Sequence, residues 1–365
     1  MTRLEACLLL RLIPGIGNIR SRKLVEHFKS PEAIFEGDAD RMLNIDRIGT
    51  VQLASIKNWK SFLPRVNKEV EFIEKNRIRC FFFGDSDYPE TLAFCPDAPL
   101  VLFYKGTIDF FKKKIISIVG TRQNTAYGKD FCESFVEALK PLNPIIVSGF
   151  AYGIDIIAHC AAIKHGMATV GCLAHGFDRI YPLKHKKYIQ EIENLGGFVT
   201  DFMEGEPFDR NNFPRRNRII AGLGHVTVVI ETANKGGSMN SADLAHQYGR
   251  EIFALPGRVT DHKSQGCHRL ILQHKAQLLN SPDQFLDSMG WKDQHPAASI
   301  QKQLFIDLNE DEKKIYELLK SKEKESLDIL AIQGQFTISR AATLLMQLEM
   351  KGCIRPLPGK YFEWI

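Results

Sequence analysis

The chain reads as an α/β protein with helical flanks, and three observations carry that expectation. Short apolar, β-branched runs of strand length recur through its middle, at 115–120, 144–149, 168–174, 225–232 and 251–257. Several of them run through a glycine turn into a helical pattern, the repeating unit of an open sheet whose ligand crevices lie beyond the carboxyl ends of the strands. The flanks differ from this: residues 1–65 carry only helical patterning, and residues 304–365 carry helices followed by a short apolar hairpin.

In residues 1–65, the apolar run 8–13 is followed by Pro14-Gly15-Ile16-Gly17 and then by a second helical pattern, with a similar turn at 45–49. Helix, Gly-hydrophobic-Gly, helix is the pattern of a helix-hairpin-helix, whose hairpin amides can bind a phosphate backbone. The segment holds eleven basic against seven acidic residues, net +4, and Arg20, Arg22 and Lys23 follow the hairpin directly. Small helical domains are commonly basic, so a helix pair that only packs is the preferred reading. Between 66 and 114 two strand-like runs, 79–84 and 100–106, flank a proline-bearing loop and are expected to extend the central sheet.

The run 115–120 leads into Gly120-Thr121-Arg122, then a polar stretch, then a helix with Phe131, Phe135 and Leu139 on one face. Gly120 suits a tight turn, the amides opening a following helix form an anion site, and Arg122 adds a planar cationic fork. The run 144–149 ends in Ser148-Gly149 and enters a helix in which Asp155 and His159 share a face; this pair reads as structural rather than catalytic. After 168–174, a loop carries Arg179, Lys184, Lys186 and Lys187 interleaved with Tyr181 and Tyr188, a mixture suited to single-stranded nucleic acid. Arg215, Arg216 and Arg218, with Asn217 among them, precede an apolar helical run. The turn at 235–242 opens another helix at Gly237 and Ser238, again suited to phosphate.

Composition bounds the rest. At 365 residues the chain has room for two or three domains, with 44% apolar and 25% charged residues as in ordinary soluble proteins. A net charge of +5 and a pI near 8.6 permit nucleic acid without demanding it. The first residues carry charges at Arg3, Glu5 and Arg11 and read as neither a secretion signal nor a membrane span. Eight cysteines without a C-x-x-C spacing read as reduced thiols of a cytoplasmic protein. Nothing points to a metal or a cofactor. A polar linker is expected at 291–303, and the tail at 304–365 has the order of a winged helix, a module in which a helix often enters the DNA major groove. Its nine basic and ten acidic residues, net −1, favour a protein-contact role instead.

Seven motifs occur in order: G-T-R at 120–122, S-G-x-A-x-G-I-D-x-x-A-H at 148–159, G-F-D-R-I-Y-P at 176–182, F-P-R-R-N-R-I-I-A-G-L at 213–223, V-V-I-E at 228–231, A-L-P-G at 254–257 and G-C-H-R-L-I at 266–271. Together they resemble the DprA/Smf family of DNA-processing proteins over about 66–290. The flanks are similar to that family's N-terminal helical (SAM-like) domain and C-terminal winged helix. The resemblance implies an extended Rossmann-like domain at 66–290 that binds single-stranded DNA and dimerises. It also implies a protein that protects incoming DNA and loads the RecA recombinase during natural transformation, without enzymatic activity. Arg122 matches the family's DNA-binding arginine, and Lys184 falls close to its lysine. The candidate DNA contacts are Gly120, Thr121, Arg122, Ser148, Gly149, Lys184, Lys187, Arg215, Arg216, Asn217, Arg218, Gly237 and Ser238. Two positions depart from the family pattern, Asn240 where an apolar residue is usual and His268 where asparagine is usual. The competing reading is a nucleotide-processing enzyme of the phosphoribohydrolase type, with Glu231 at a strand end as general acid or base.

Overall fold

The computed structural model describes residues 1–36, 42, 45–110, 113–292, 308–320, 322, 324–351, 353–357 and 361–364. They fall into two compact units, Met1–Lys292 and Asp293–Ile365. Residues 293–303 of the expected linker lie outside the described residues.

The first unit begins with helices α1 (Arg3–Leu12), α2 (Asn18–Phe28), α3 (Ala33–Glu36), α4 (Thr50–Lys57) and α5 (Leu63–Lys75). Thr2 and Glu5 close a capping box on α1: the Thr2 hydroxyl accepts from Glu5 N at 3.3 Å, and Glu5 Oε2 accepts from Thr2 N at 2.6 Å. Its run Ala6–Leu10 is buried, and Cys7–Leu10 share one core with Leu100, Val101 and Phe103 of the sheet's edge region. Helices and sheet edge therefore share one apolar interior.

Nine strands follow: β1 (Arg79–Phe82), β2 (Val101–Gly106), β3 (Ile115–Gly120), β4 (Ile145–Ser148), β5 (Thr169–Cys172), β6 (Gly197–Thr200), β7 (Val226–Ile230), β8 (Glu251–Ala254) and β9 (Gln277–Leu278). They form one sheet in the order β1-β2-β6-β5-β4-β3-β7-β8-β9. The pairs from β6 to β9 are parallel, and β1-β2 and β2-β6 are antiparallel. The interleaved helices are α6 (Glu90–Ala93), α7 (Ala126–Ala138), α8 (Ile154–Lys164), α9 (Ile189–Leu195), α10 (Asn212–Leu223), α11 (Gly237–Gln247), α12 (Gln265–Leu272) and α13 (Pro282–Ser288). The central strands are covered on both faces, so they read as unbroken apolar runs rather than alternating ones. Ile115 and Val119 of β3 enter a core with Ile219, Ile220 and Leu223 of α10, while Ile116 and Ile118 enter the opposite core with Phe135 of α7 and Ala158 of α8.

The second unit is a winged helix: α14 (Glu310–Lys320), β10 (Lys324–Ser326), α15 (Leu327–Gly334), α16 (Ile338–Met350), β11 (Ile354–Leu357) and β12 (Tyr361–Trp364), with strand order β10-β12-β11. Ile315, Leu319, Leu330, Leu344, Leu345 and Leu348 form its core. Among the described residues no helix is long and apolar enough to cross a membrane.

Candidate nucleic-acid interface

The sheet order places the site. From β3 the chain moves to β4 and β5 on one side and later returns to β7 on the other. At such a reversal a crevice opens beyond the carboxyl ends of the two neighbouring strands. A crevice of about 650 Å³ lies there, bounded by the turns after β3, β4 and β7 and by the first turns of α10 and α11.

The turn after β3 is fixed through its backbone. A side chain at Gly120 would put Cβ 2.1 Å from Ile230 O, so only glycine fits where β3 meets β7. Thr121 N donates to Glu231 O at 2.8 Å, and Thr121 O accepts from Ile154 N, the first amide of α8, at 3.2 Å. The second contact requires Gly153, which sits at φ 79° and whose Cβ would lie 2.2 Å from Thr121 O. Arg122 leaves this turn exposed, with its guanidinium carbon 4.7 Å from the centre of the Phe213 ring. No carboxylate is within ion-pair distance of Arg122 among the described residues. Phe213 packs against Phe208 and Tyr181, with ring centres 5.7 and 5.8 Å away, and Arg179 lies 5.2 Å over Phe208. Two cations, Arg122 and Arg179, therefore stand on an aromatic cluster beside the crevice.

The arginine cluster falls inside α10 rather than ahead of a helical run, and helix geometry sends its members in different directions. Arg215 is half-exposed, 4.5 Å over Phe202 and 3.7 Å from Glu206. Arg216 is buried under the crevice; its Nη1 donates to the carbonyls of Gly149 and Cys172, and its Nε donates to Asn217 Oδ1 at 3.2 Å. A Cβ at Gly149 would lie 2.5 Å from Asp155 Oδ2 and 2.6 Å from this guanidinium, so a side chain there would displace the pair. Burial pushes the neighbouring Asp155 carboxyl up, against the pull of Arg216. Arg218 turns away from the crevice, donating to Asp97 O and ion-pairing with the fully buried Asp201. Arg11 of α1 reaches the same carboxylate at 3.4 Å. Burial pushes the Asp201 carboxyl up, but Arg218, Arg11 and Arg215 outweigh it and hold it at about 2.

Gly237 and Ser238 open α11, which has no side-chain cap. Ser238 Oγ is buried without a hydrogen-bond partner among the described residues, and Asn240 stands exposed at the crevice with its Oδ1 accepting from Asn217 Nδ2 at 3.3 Å.

The crevice thus brings together Gly120, Thr121, Arg122, Arg216, Asn217, Gly237 and Ser238. Ser148 is fully buried, its hydroxyl donating to Ile118 O at 2.6 Å. Lys184 and Lys187 are exposed on the turn Leu183–Tyr188 after β5, on the same sheet edge but outside the crevice. Sequence reasoning missed Arg210 and Phe213 as crevice residues, although Arg210 stands three residues ahead of the arginine motif. Asp155 and His159 do not pair: Asp155 accepts from Ala151 N at 3.4 Å, while His159 Nδ1 bonds Thr169 Oγ1 at 2.6 Å. His268 places Nε2 3.0 Å from Gly257 O. Glu231, at φ 54°, is buried behind the turn after β3; its carboxylate accepts from Thr125 N at 2.8 Å and from Thr125 Oγ1 at 2.5 Å, at the start of α7. That carboxylate fixes a helix start and does not line the crevice.

Residues 79–290 match the family model described as DNA recombination-mediator protein A, and residues 299–360 match the DprA winged helix domain. Protein Smf of Escherichia coli is 33% identical over 286 residues, 76% of this chain and 75% of its own length. The X-ray structure of DNA processing protein A from Streptococcus pneumoniae superposes with a TM-score of 0.66 at 30% identity, covering 79% of this chain and 98% of that one. A structure described as the single-stranded DNA binding mode of DNA processing protein A from Helicobacter pylori superposes at 0.53 with 28% identity, covering 58% of this chain and 95% of that one. With a family model over more than half its length and relatives aligned over about three quarters of it, this chain belongs to the DNA recombination-mediator protein A family, the DprA/Smf proteins.

Proposed function

We propose that this DNA-processing protein binds single-stranded DNA along the carboxyl edge of its sheet and delivers that strand to the RecA recombinase. The observation that carries the reading is Arg122, an unpaired guanidinium held on Phe213 at the rim of a donor-lined crevice. A strand could run from there toward Lys184 and Lys187, with phosphates near the cations and bases near the aromatic rings. The description of the Helicobacter pylori relative supports single-stranded DNA as ligand. The recombination-mediator description of the family supports a recombinase partner, and family resemblance supports homodimerisation and a place in natural transformation. The role is one of binding rather than catalysis, since the carboxylate expected of a phosphoribohydrolase is occupied at the start of α7. We assign the winged helix to protein contact. Its helix α16 exposes Ile338, Met346 and Met350, and Arg340, on the same helix, is paired with Asp311 at 2.9 Å.

The test is fluorescence anisotropy with labelled oligo-dT and a duplex of equal length at moderate salt. Tighter binding of the single strand, weakening as salt rises, is the expected result. Equal or tighter binding of the duplex would overturn the proposal.

A further inference from the structure

We infer that Asn240 is itself a DNA contact, donating its side-chain amide to a non-bridging phosphate oxygen from the start of α11. The inference rests on reading the crevice as a single-strand site and adds a residue to it. The orientation of the amide follows from a relay of hydrogen bonds. A guanidinium has only donors, so the Asn217 atom 3.2 Å from Arg216 Nε is the oxygen. Asn217 Nδ2 therefore faces Asn240 at 3.3 Å, and the Asn240 atom that receives it is also the oxygen. Arg216 is anchored on the carbonyls of Gly149 and Cys172, which fixes the polarity of the whole relay from the protein interior.

The consequence is an Asn240 Nδ2 that donates to no group among the described residues, on a residue exposed at the crevice. Its surroundings are of the same sign. Ser238, 8% exposed, lines this wall, and its buried hydroxyl has no hydrogen-bond partner among the described residues. Gly237 and Ser238 are the first residues of an eleven-residue helix whose N-cap, Gly236, supplies no side chain, so their amides remain donors at the positive end of the helix dipole. Base edges mix donors with acceptors, whereas a phosphate offers only acceptors, and a donor-lined wall fits the phosphate.

The experiment compares full-length wild type, Asn240→Leu, Asn240→Lys and Arg122→Ala for oligo-dT binding across a salt series, with melting curves on each. Asn240→Leu is expected to weaken binding about 3- to 10-fold, the range of one net hydrogen bond. Its salt slope should match wild type, because no charge is lost. Asn240→Lys should recover affinity at low salt and steepen the slope by about 0.7. A purely structural role moves melting instead and leaves the lysine slope at the wild-type value. Wild-type affinity in Asn240→Leu, or an unchanged slope in Asn240→Lys, overturns the inference while Arg122→Ala still tests the crevice by itself.

Discussion

Arg122→Ala tests the crevice most directly, because the structure separates the side chain from the fold. The turn that carries it is held by backbone bonds of Thr121 to Glu231 and Ile154, neither of which involves the arginine side chain. Its guanidinium is exposed and lies on the face of Phe213, a contact of about 0.5–1 kcal/mol at such a site. Melting should therefore change little on truncation. Binding should change more: one charge-assisted hydrogen bond to phosphate contributes about 1–3 kcal/mol, roughly 5- to 150-fold in Kd. The slope of log K against log salt should fall by about 0.7, the value for one single-strand phosphate. Arg122→Lys keeps the charge but loses the planar fork and its stacking, and should lie between the two. Anisotropy titrations at several salt concentrations, with thermal melts of the same three proteins, read all of this. A lower melting temperature with unchanged affinity and slope would refute the phosphate role and make Arg122 a surface brace.

Three further outcomes follow from the interior. Asp201→Ala leaves Arg218 and Arg11 together without their shared counter-charge, and should cost about 3–5 kcal/mol in urea denaturation; a loss under about 1 kcal/mol would mean that water reaches the site. Gly153→Ala and Gly205→Ala both place a side chain at positive φ, 79° and 69°, but only the first meets backbone, so Gly153→Ala should melt lower and bind oligo-dT less well than Gly205→Ala; equal effects would show that the turn before Arg122 gives way freely. Burial, with His185 and Arg216 adding to it, lowers His159 from an ordinary 6.5 to about 3. Because the folded value lies below the unfolded one, its stabilisation is complete above pH 6.5 and declines as pH falls toward 3, by up to about 1.4 kcal/mol per pH unit. Urea midpoints that are equal at pH 7 and pH 5 would contradict a buried neutral imidazole.

The parts of this molecule that were legible in the sequence are those where a one-dimensional signal has a single three-dimensional meaning. An apolar run that leads through glycine into a helical pattern can hardly be anything but a buried parallel strand, which is why β3, β4 and β7 and the Arg122 turn lie where the residues placed them. The arginine cluster is the opposite case. Its charge count was plain, but charge count carries no direction, and a helix rotates neighbours by about 100°. Arg215 reaches the surface, Arg216 lies under the crevice and Arg218 points to Asp201, a residue that in the sequence is one more acid after a strand. What decides between surface and interior is the partner, and the partners come from far along the chain: Gly149, Cys172 and Asp201 lie 67, 44 and 17 residues away. The same logic explains Asn240, a departure from the family pattern with no meaning in the sequence alone. Its orientation is set through Asn217 by the most deeply buried of those arginines, so a guanidinium held beneath the crevice decides which atom a neighbouring amide presents to the solvent.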